Sequence, residues 1–225
     1  MIKLTTPKLI SIDLDGTLVD SVPDLAWAVD KSLEAMGYPA RGIDNIRDWV
    51  GNGAAMLLQR ALGNGDENAV KDEQTLADAR RHFDHFYGSH FAVDTRLYDG
   101  VLDALDWLSQ QQIQLALITN KPIAFTEPML QQLKLAHYFQ YTLGGDSLAK
   151  SKPDPQPLLH VATAAGVSPA HCLHIGDSVT DVSAAKNAGF ASVAVSFGYN
   201  HGQPIAASEP DVVIDHWHEL SGFFS

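Results

Sequence analysis

Apolar residues in this chain gather into short, near-continuous runs rich in β-branched side chains, each followed by a polar or glycine-containing turn. The runs are LISIDL (9–14), LALIT (115–119), YTLGGD (141–146), CLHIGD (172–177), ASVAVS (191–196) and DVVID (211–215). Such runs predict buried strands. Between them, apolar positions recur at helical spacing in VLDALDWL (101–108), FTEPMLQQL (125–133), PLLHVATAAG (157–166) and VTDVSAAKNAG (179–189). Strands without an exposed face, alternating with helices, predict a parallel sheet covered by helices on both sides.

One interval breaks this rhythm. Between Ser21 and Thr95 there is no convincing strand, and the pattern is helical throughout. Leu25, Val29, Leu33 and Met36 mark one helix, which Gly37 and Pro39 close. Further helices run through IRDWV, GAAMLLQRAL and a stretch ending in FDHFYGSHF, with the polar GNGDEN as a loop. The expected architecture is therefore α/β: a Rossmann-like, doubly wound, mainly parallel sheet formed by residues 1–20 and 96–225, with 21–95 as an inserted helical cap. Placed right after the first strand, the insert must connect at that strand's carboxyl end, where open α/β sheets hold their ligands. It is positioned as a lid.

Composition narrows the function. The 225 residues are 45% apolar and 19% charged, an ordinary globular balance. A formal charge of -12 would repel a nucleic-acid backbone or an anionic membrane, so neither is expected as a partner. The single cysteine, Cys172, excludes an intrachain disulfide and reads as a small core residue. No apolar run approaches a membrane span, and the N-terminal residues lack signal-peptide features, so a cytoplasmic protein is expected. His82, His85 and His90 lie among Phe83, Phe86 and Tyr87 without a cysteine or fourth ligand nearby, which favours a structural role over a zinc site.

The densest chemical signal is DLDGTLVDS. Asp13 and Asp15, two apart at a strand end, point to the same side, and Gly16 permits a sharp exit. Two carboxylates sharing one space call for a cation, or for a division into nucleophile and general acid. GDSVTD adds Asp177 and Asp181 after another strand; helix capping would account for only one of them. Parallel strands end at one edge of the sheet, so the four acids can converge into the oxygen-rich environment that Mg²⁺ prefers. Two further strand ends contribute donors, Thr119 with Asn120, and Lys152 in KSKPDPQP. Hydroxyl, amide, ammonium and divalent cation together match the needs of a phosphoryl group.

The ordered set DLDGT, ITN, KP and GDSVTD resembles the four motifs of the haloacid dehalogenase superfamily of aspartate-nucleophile hydrolases, and the insert occupies the place of its helical cap. Ser151 departs from a frequent second lysine, while Lys152 before Pro153 still matches. The resemblance implies that Asp13 attacks phosphorus, that Asp15 protonates the leaving oxygen and then activates water, and that Thr119, Asn120 and Lys152 bind the phosphoryl group. It also implies Mg²⁺ held by the Asp13 side chain, the Asp15 carbonyl and Asp177, with Asp181 nearby. Finer features, among them RDWVGNGAAMLLQRAL and GYNHGQPIAASEPDVVID, narrow the resemblance to bacterial phosphatases of a small phosphorylated acid, 2-phosphoglycolate. A carboxylate there would need a donor, for which Arg47, Arg60, the main chain of 51–53 and Lys121 are candidates. A sugar phosphomutase would share Asp13 and Asp15. A dehalogenase would not need Asp15, and a receiver-like signalling module would lack the insert.

Overall fold

The computed structural model describes residues 5–70 and 72–224. Its strands are, in chain order, β1 (Leu9–Ile12), β2 (Val19–Asp20), β3 (Arg96–Leu97), β4 (Gln114–Ile118), β5 (Tyr141–Leu143), β6 (Cys172–Gly176), β7 (Ala191–Val195) and β8 (Val212–Ile214). Its helices are α1 (Val22–Ala35), α2 (Ile43–Trp49), α3 (Ala54–Leu62), α4 (Glu73–His90), α5 (Val101–Gln110), α6 (Ile123–Gln132), α7 (Gln156–Ala165) and α8 (Val179–Ala188). Six strands form one parallel sheet in the order β5-β4-β1-β6-β7-β8, so each apolar run read from the sequence supplies one strand.

The pleat of β1 sorts its residues between two helical layers. Ile10 and Ile12 stand beside Leu115, Leu117, Leu173 and Ile175 on the face that packs α5 and α6 through Val101, Leu105, Met129 and Leu130. Leu9 and Ala116 point to the opposite face, against Leu158 and Val161 of α7 and Ala184, Ala185 and Ala188 of α8. All four residues of β1 are buried, and its one polar residue, Ser11, is buried with the rest, which explains why no exposed face alternates within it. Strand order reverses about β1, with β4 on one side and β6 on the other. The crevice of a doubly wound sheet opens at that reversal, beyond the carboxyl ends of these strands.

Helices α1 to α4 stand between β2 and β3, which pair antiparallel with Val19 opposite Leu97 and Asp20 opposite Arg96. This ladder brings the chain's departure from the sheet next to its return. Within the insert, α1 packs on α4: Leu25, Val29 and Leu33 meet a stripe of Ala79, Phe83 and Tyr87. The insert's interior is continuous with the sheet's apolar layer. Its N-terminal connection is fastened by buried Asp24, whose carboxylate accepts from the main-chain N–H groups of Val93, Asp94 and Thr95 at 2.8–3.1 Å and from Thr95 Oγ1 at 2.6 Å. His90, stacked on Trp27 at 3.9 Å, lies 3.8 Å from Asp24 and 3.7 Å from Asp94. Asp24 already serves four donors, and His90 adds its contacts with Asp24 and Asp94 to the same neck. No helix among the described residues is long and apolar enough to cross a membrane.

Candidate active site

Asp13 follows β1 directly and its backbone N–H bonds the carbonyl of Ile175, which fixes it between β1 and β6. Asp177 follows β6, and Asp181 opens α8. One oxygen from each of Asp13, Asp177 and Asp181 lies within 4.8 Å of the others, and all three side chains are buried. Gly16 makes this approach possible: its φ is +87°, and a Cβ there would overlap the Asp177 carboxylate. Lys152 Nζ reaches into the cluster, 2.7 Å from Asp13 Oδ1 and 2.6 Å from Asp181 Oδ1.

The partners of the three acids differ. Asp181 is saturated: Lys152 and His174 Nε2 (3.1 Å) meet one oxygen, while Ser178 N and Oγ meet the other in a capping box on α8. Asp177 accepts from Thr17 Oγ1 at 3.3 Å and from the Tyr199 N–H. Asp13 has one oxygen beyond its bond to Lys152. Burial pushes the Asp13 carboxyl up to about 7 despite the opposing pull of Lys152, and burial beside Asp181 and Asp13 raises Asp177 well above the carboxylate range. Burial acts on Asp181 in the same sense, but the Lys152 charge and His174 outweigh it and hold that carboxyl low. If all three are ionised, one ammonium leaves two negative charges uncompensated. Among the described residues this is the buried all-carboxylate group with ligand spacing, and its donor set suits a hard divalent cation.

Asp15 is set apart. Its carboxylate accepts from Ser21 Oγ at 2.5 Å and from Lys121 Nζ at 3.0 and 3.1 Å, outside the three-acid group. Only its main-chain carbonyl is left for the metal role that the resemblance implies. Thr119 is buried at the end of β4, its Oγ1 accepting the Lys121 N–H at 3.2 Å. Asn120 is placed differently from a simple phosphate donor. Its side-chain nitrogen serves the carbonyls of Lys152 (2.9 Å) and Gly51 (3.4 Å), which leaves Oδ1 as an unpaired acceptor. A phosphoryl contact from Asn120 must therefore use its main-chain N–H.

A cavity of about 50 Å³ joins these groups. Asp13, Asp15, Thr119, Asn120, Lys121, Lys152 and Asp181 line its core side; Leu25, Val50, Gly51, Gly53, Ala54, Leu57, Phe83 and Tyr87 line it from the insert. The insert touches the core through Asn52 Nδ2, 3.3 Å from Thr180 Oγ1, and His201 Nδ1, 2.8 Å from the Asp48 carbonyl. Of the four candidate donors for a substrate carboxylate, two are absent from the cavity wall. Arg47 pairs with Asp20 at 3.2 Å and stacks 5.3 Å over Tyr199, and Arg60 binds the Trp49 carbonyl, Asn52 and Glu67. Lys121 and the 51–53 loop do line it.

Two participants escape a reading of the sequence. His174 lies inside an apolar strand, yet its register opposite Ser11 puts both on the α8 face, where Ser11 Oγ meets Nδ1 at 2.8 Å and Nε2 meets Asp181. Burial lowers its pKa, so the ring is neutral, and the carboxylate's need for a donor puts the proton on Nε2. The pairing of two polar residues on neighbouring apolar strands was the available signal. Tyr199, remote in sequence, binds Asp177 through its N–H and Asp20 through its hydroxyl at 2.5 Å.

An acidic cluster, a separate lysine-held carboxylate and a crevice at the strand-order reversal place the chain among hydrolases with a doubly wound α/β fold. The chain belongs to the haloacid dehalogenase-like hydrolase family, whose model matches residues 7–189. It is 48% identical to a phosphoglycolate phosphatase of Pseudomonas putida over 211 residues, 94% of this chain and 77% of that one. A phosphoglycolate phosphatase of Nitrosococcus oceani is 43% identical over 222 residues, covering 99% and 98% of the two chains. Among solved structures, one described as a predicted phosphoglycolate phosphatase from Haemophilus somnus superimposes with a TM-score of 0.91 at 37% identity, over 97% of this chain and 98% of that one.

Proposed function

We propose that this protein is a Mg²⁺-dependent phosphomonoester hydrolase that converts 2-phosphoglycolate to glycolate and phosphate, and that residues 21–95 act as its cap. The observation that carries this reading is the convergence, around one cavity, of Asp13 and Asp181 from the buried three-acid cluster and of a second carboxylate, Asp15, with its own lysine. Relatives of nearly the same length, named for that substrate, support it.

Asp13, Asp177 and the main-chain carbonyl of Asp15 would hold the cation, with Asp181 beside them. Bound there, Mg²⁺ would supply charge neutralisation for the acids and for the phosphoryl oxygens and so favour the ionised, nucleophilic form of Asp13. An Asp13 oxygen then attacks phosphorus, and the bond from phosphorus to the ester oxygen breaks. The departing oxygen takes a proton from Asp15, which removes the need to expel a free alkoxide. In the second half, Asp15 accepts a proton from water as that water attacks the aspartyl phosphate, and the Asp13–phosphorus bond breaks. Lys152 and the Thr119 hydroxyl neutralise and bind the transferring oxygens. Because Asp181 is already saturated by hydrogen bonds, Asp177→Ala should weaken the metal more than Asp181→Ala.

Phosphate release should be measured over small phosphomonoesters, 2-phosphoglycolate and a sugar 1-phosphate included, after EDTA treatment and readdition of Mg²⁺ or Ca²⁺. Turnover of 2-phosphoglycolate restored by Mg²⁺ is expected. Calcium, larger and more highly coordinated, should engage both Asp13 oxygens and inhibit. Full activity in EDTA, or isomerisation of the sugar phosphate without phosphate release, would count against the reading.

A further inference from the structure

Most of the cavity wall contributed by the insert is apolar: Leu25, Val50, Leu57 and Phe83 could not receive an anion. The exception among its side chains is Tyr87, whose buried hydroxyl makes no hydrogen bond of normal geometry and interacts only loosely with Lys121. Buried hydroxyls are nearly always paired, and those left open are found where something else completes the site.

The ring cannot turn away to find another partner. Phe83 stacks on it at 5.2 Å, Phe125 meets it edge-on at 5.1 Å, and Lys121 Nζ sits 4.8 Å over its face. The orientation of the hydroxyl is therefore built in before any ligand arrives. Burial pushes the phenol up to about 12, so it remains an O–H donor through the neutral range. Lys121 is also held protonated, the charge of Asp15 overcoming the effect of burial. Lys121 meets both oxygens of Asp15 and also interacts with the Tyr87 hydroxyl, whose own hydrogen stays available as a donor. Arg47 and Arg60, engaged elsewhere, do not compete for this role.

We propose that the Tyr87 hydroxyl, together with Lys121, binds the substrate's carboxylate and is the side-chain contact by which the insert selects a phosphorylated acid. This rests on the phosphatase reading above and names how it chooses its substrate. A donor that stays unpaired unless a carboxylate is present discriminates against substrates that merely fit.

The test compares kcat/KM of the wild type and Tyr87→Phe for 2-phosphoglycolate and for ethyl phosphate, in which a methyl group replaces the carboxylate. Removing a hydrogen bond to a charged group should lower kcat/KM for 2-phosphoglycolate by about ten- to a hundredfold. Ethyl phosphate, which cannot use the hydroxyl, should change by less than about twofold, and its turnover doubles as a check that the variant is folded. An equal loss on both substrates, or no loss on either, overturns the proposal and leaves the phosphatase reading standing. A wild type that prefers ethyl phosphate sinks the substrate reading and the carboxylate contact with it.

Discussion

Asp13 and Asp15 share a motif but not an environment, and the difference predicts separable defects. Asp13→Asn should abolish covalent phosphoenzyme, detected by acid quench with labelled substrate, because an amide is not a nucleophile. Asp15→Asn should still form it from acetyl phosphate, whose leaving acetate needs no proton, while failing on alkyl phosphates. His174 offers a third readout. Replacing it with alanine removes the donor that steadies Asp181, and Mg²⁺ affinity measured by calorimetry should fall by about tenfold. Of these residues, Asp13, Asp15, Asp177 and Thr119 were legible because they follow apolar runs, Asp181 because it shares a short motif with Asp177, and Lys152 because it stands in a proline-rich loop. His174 was not, because its significance depends on the strand register that sets it beside Ser11. Nor could the sequence choose among Arg47, Arg60 and Lys121, since the partners that occupy the arginines are remote or ambiguous: Asp20 for one, Glu67 and two loop groups for the other.

The two connections of the helical insert are where its movement would be controlled. Asp24 fastens 93–95 to α1 through four hydrogen bonds, so Asp24→Asn, which turns one acceptor into a donor facing N–H groups, should cost on the order of 2–4 kcal/mol in denaturant unfolding. Cysteines placed at Asn52 and Thr180, which touch in the covered state, allow a bifunctional maleimide to hold the insert down. Turnover should then stop, and unchanged turnover would show that substrate enters without opening. The native thiol does not interfere, because Cys172 is buried. All the long elements followed from hydrophobic spacing. The β2–β3 ladder did not, because two residues per strand are too few to show a period.

For the whole molecule, the acidic cluster makes stability depend on pH in an unusual direction. In metal-free folded protein the Asp13 carboxyl titrates near 7 and Asp177 is also raised, whereas in the unfolded chain both return to about 3.8. The folded state thus binds more protons; this contribution is fully present below about 3.8 and is lost as pH rises through about 7. Melting in EDTA should show the midpoint falling between pH 5 and 8, and Mg²⁺ should remove most of that fall while binding more tightly at higher pH. The central position of β1 has a different consequence, in the order of synthesis. About 100 residues separate β1 from β4, its first partner, and β6 comes later still. At roughly 5–20 residues per second the ribosome takes about 5–20 s to cover that distance. The helices of the insert, whose contacts with one another lie wholly within residues 22–90, are made in that interval. The strand that carries the reactive aspartates is therefore the first to be translated and the one that waits longest for a partner, so a nascent chain acquires the helices of the insert before it has an active site for them to cover.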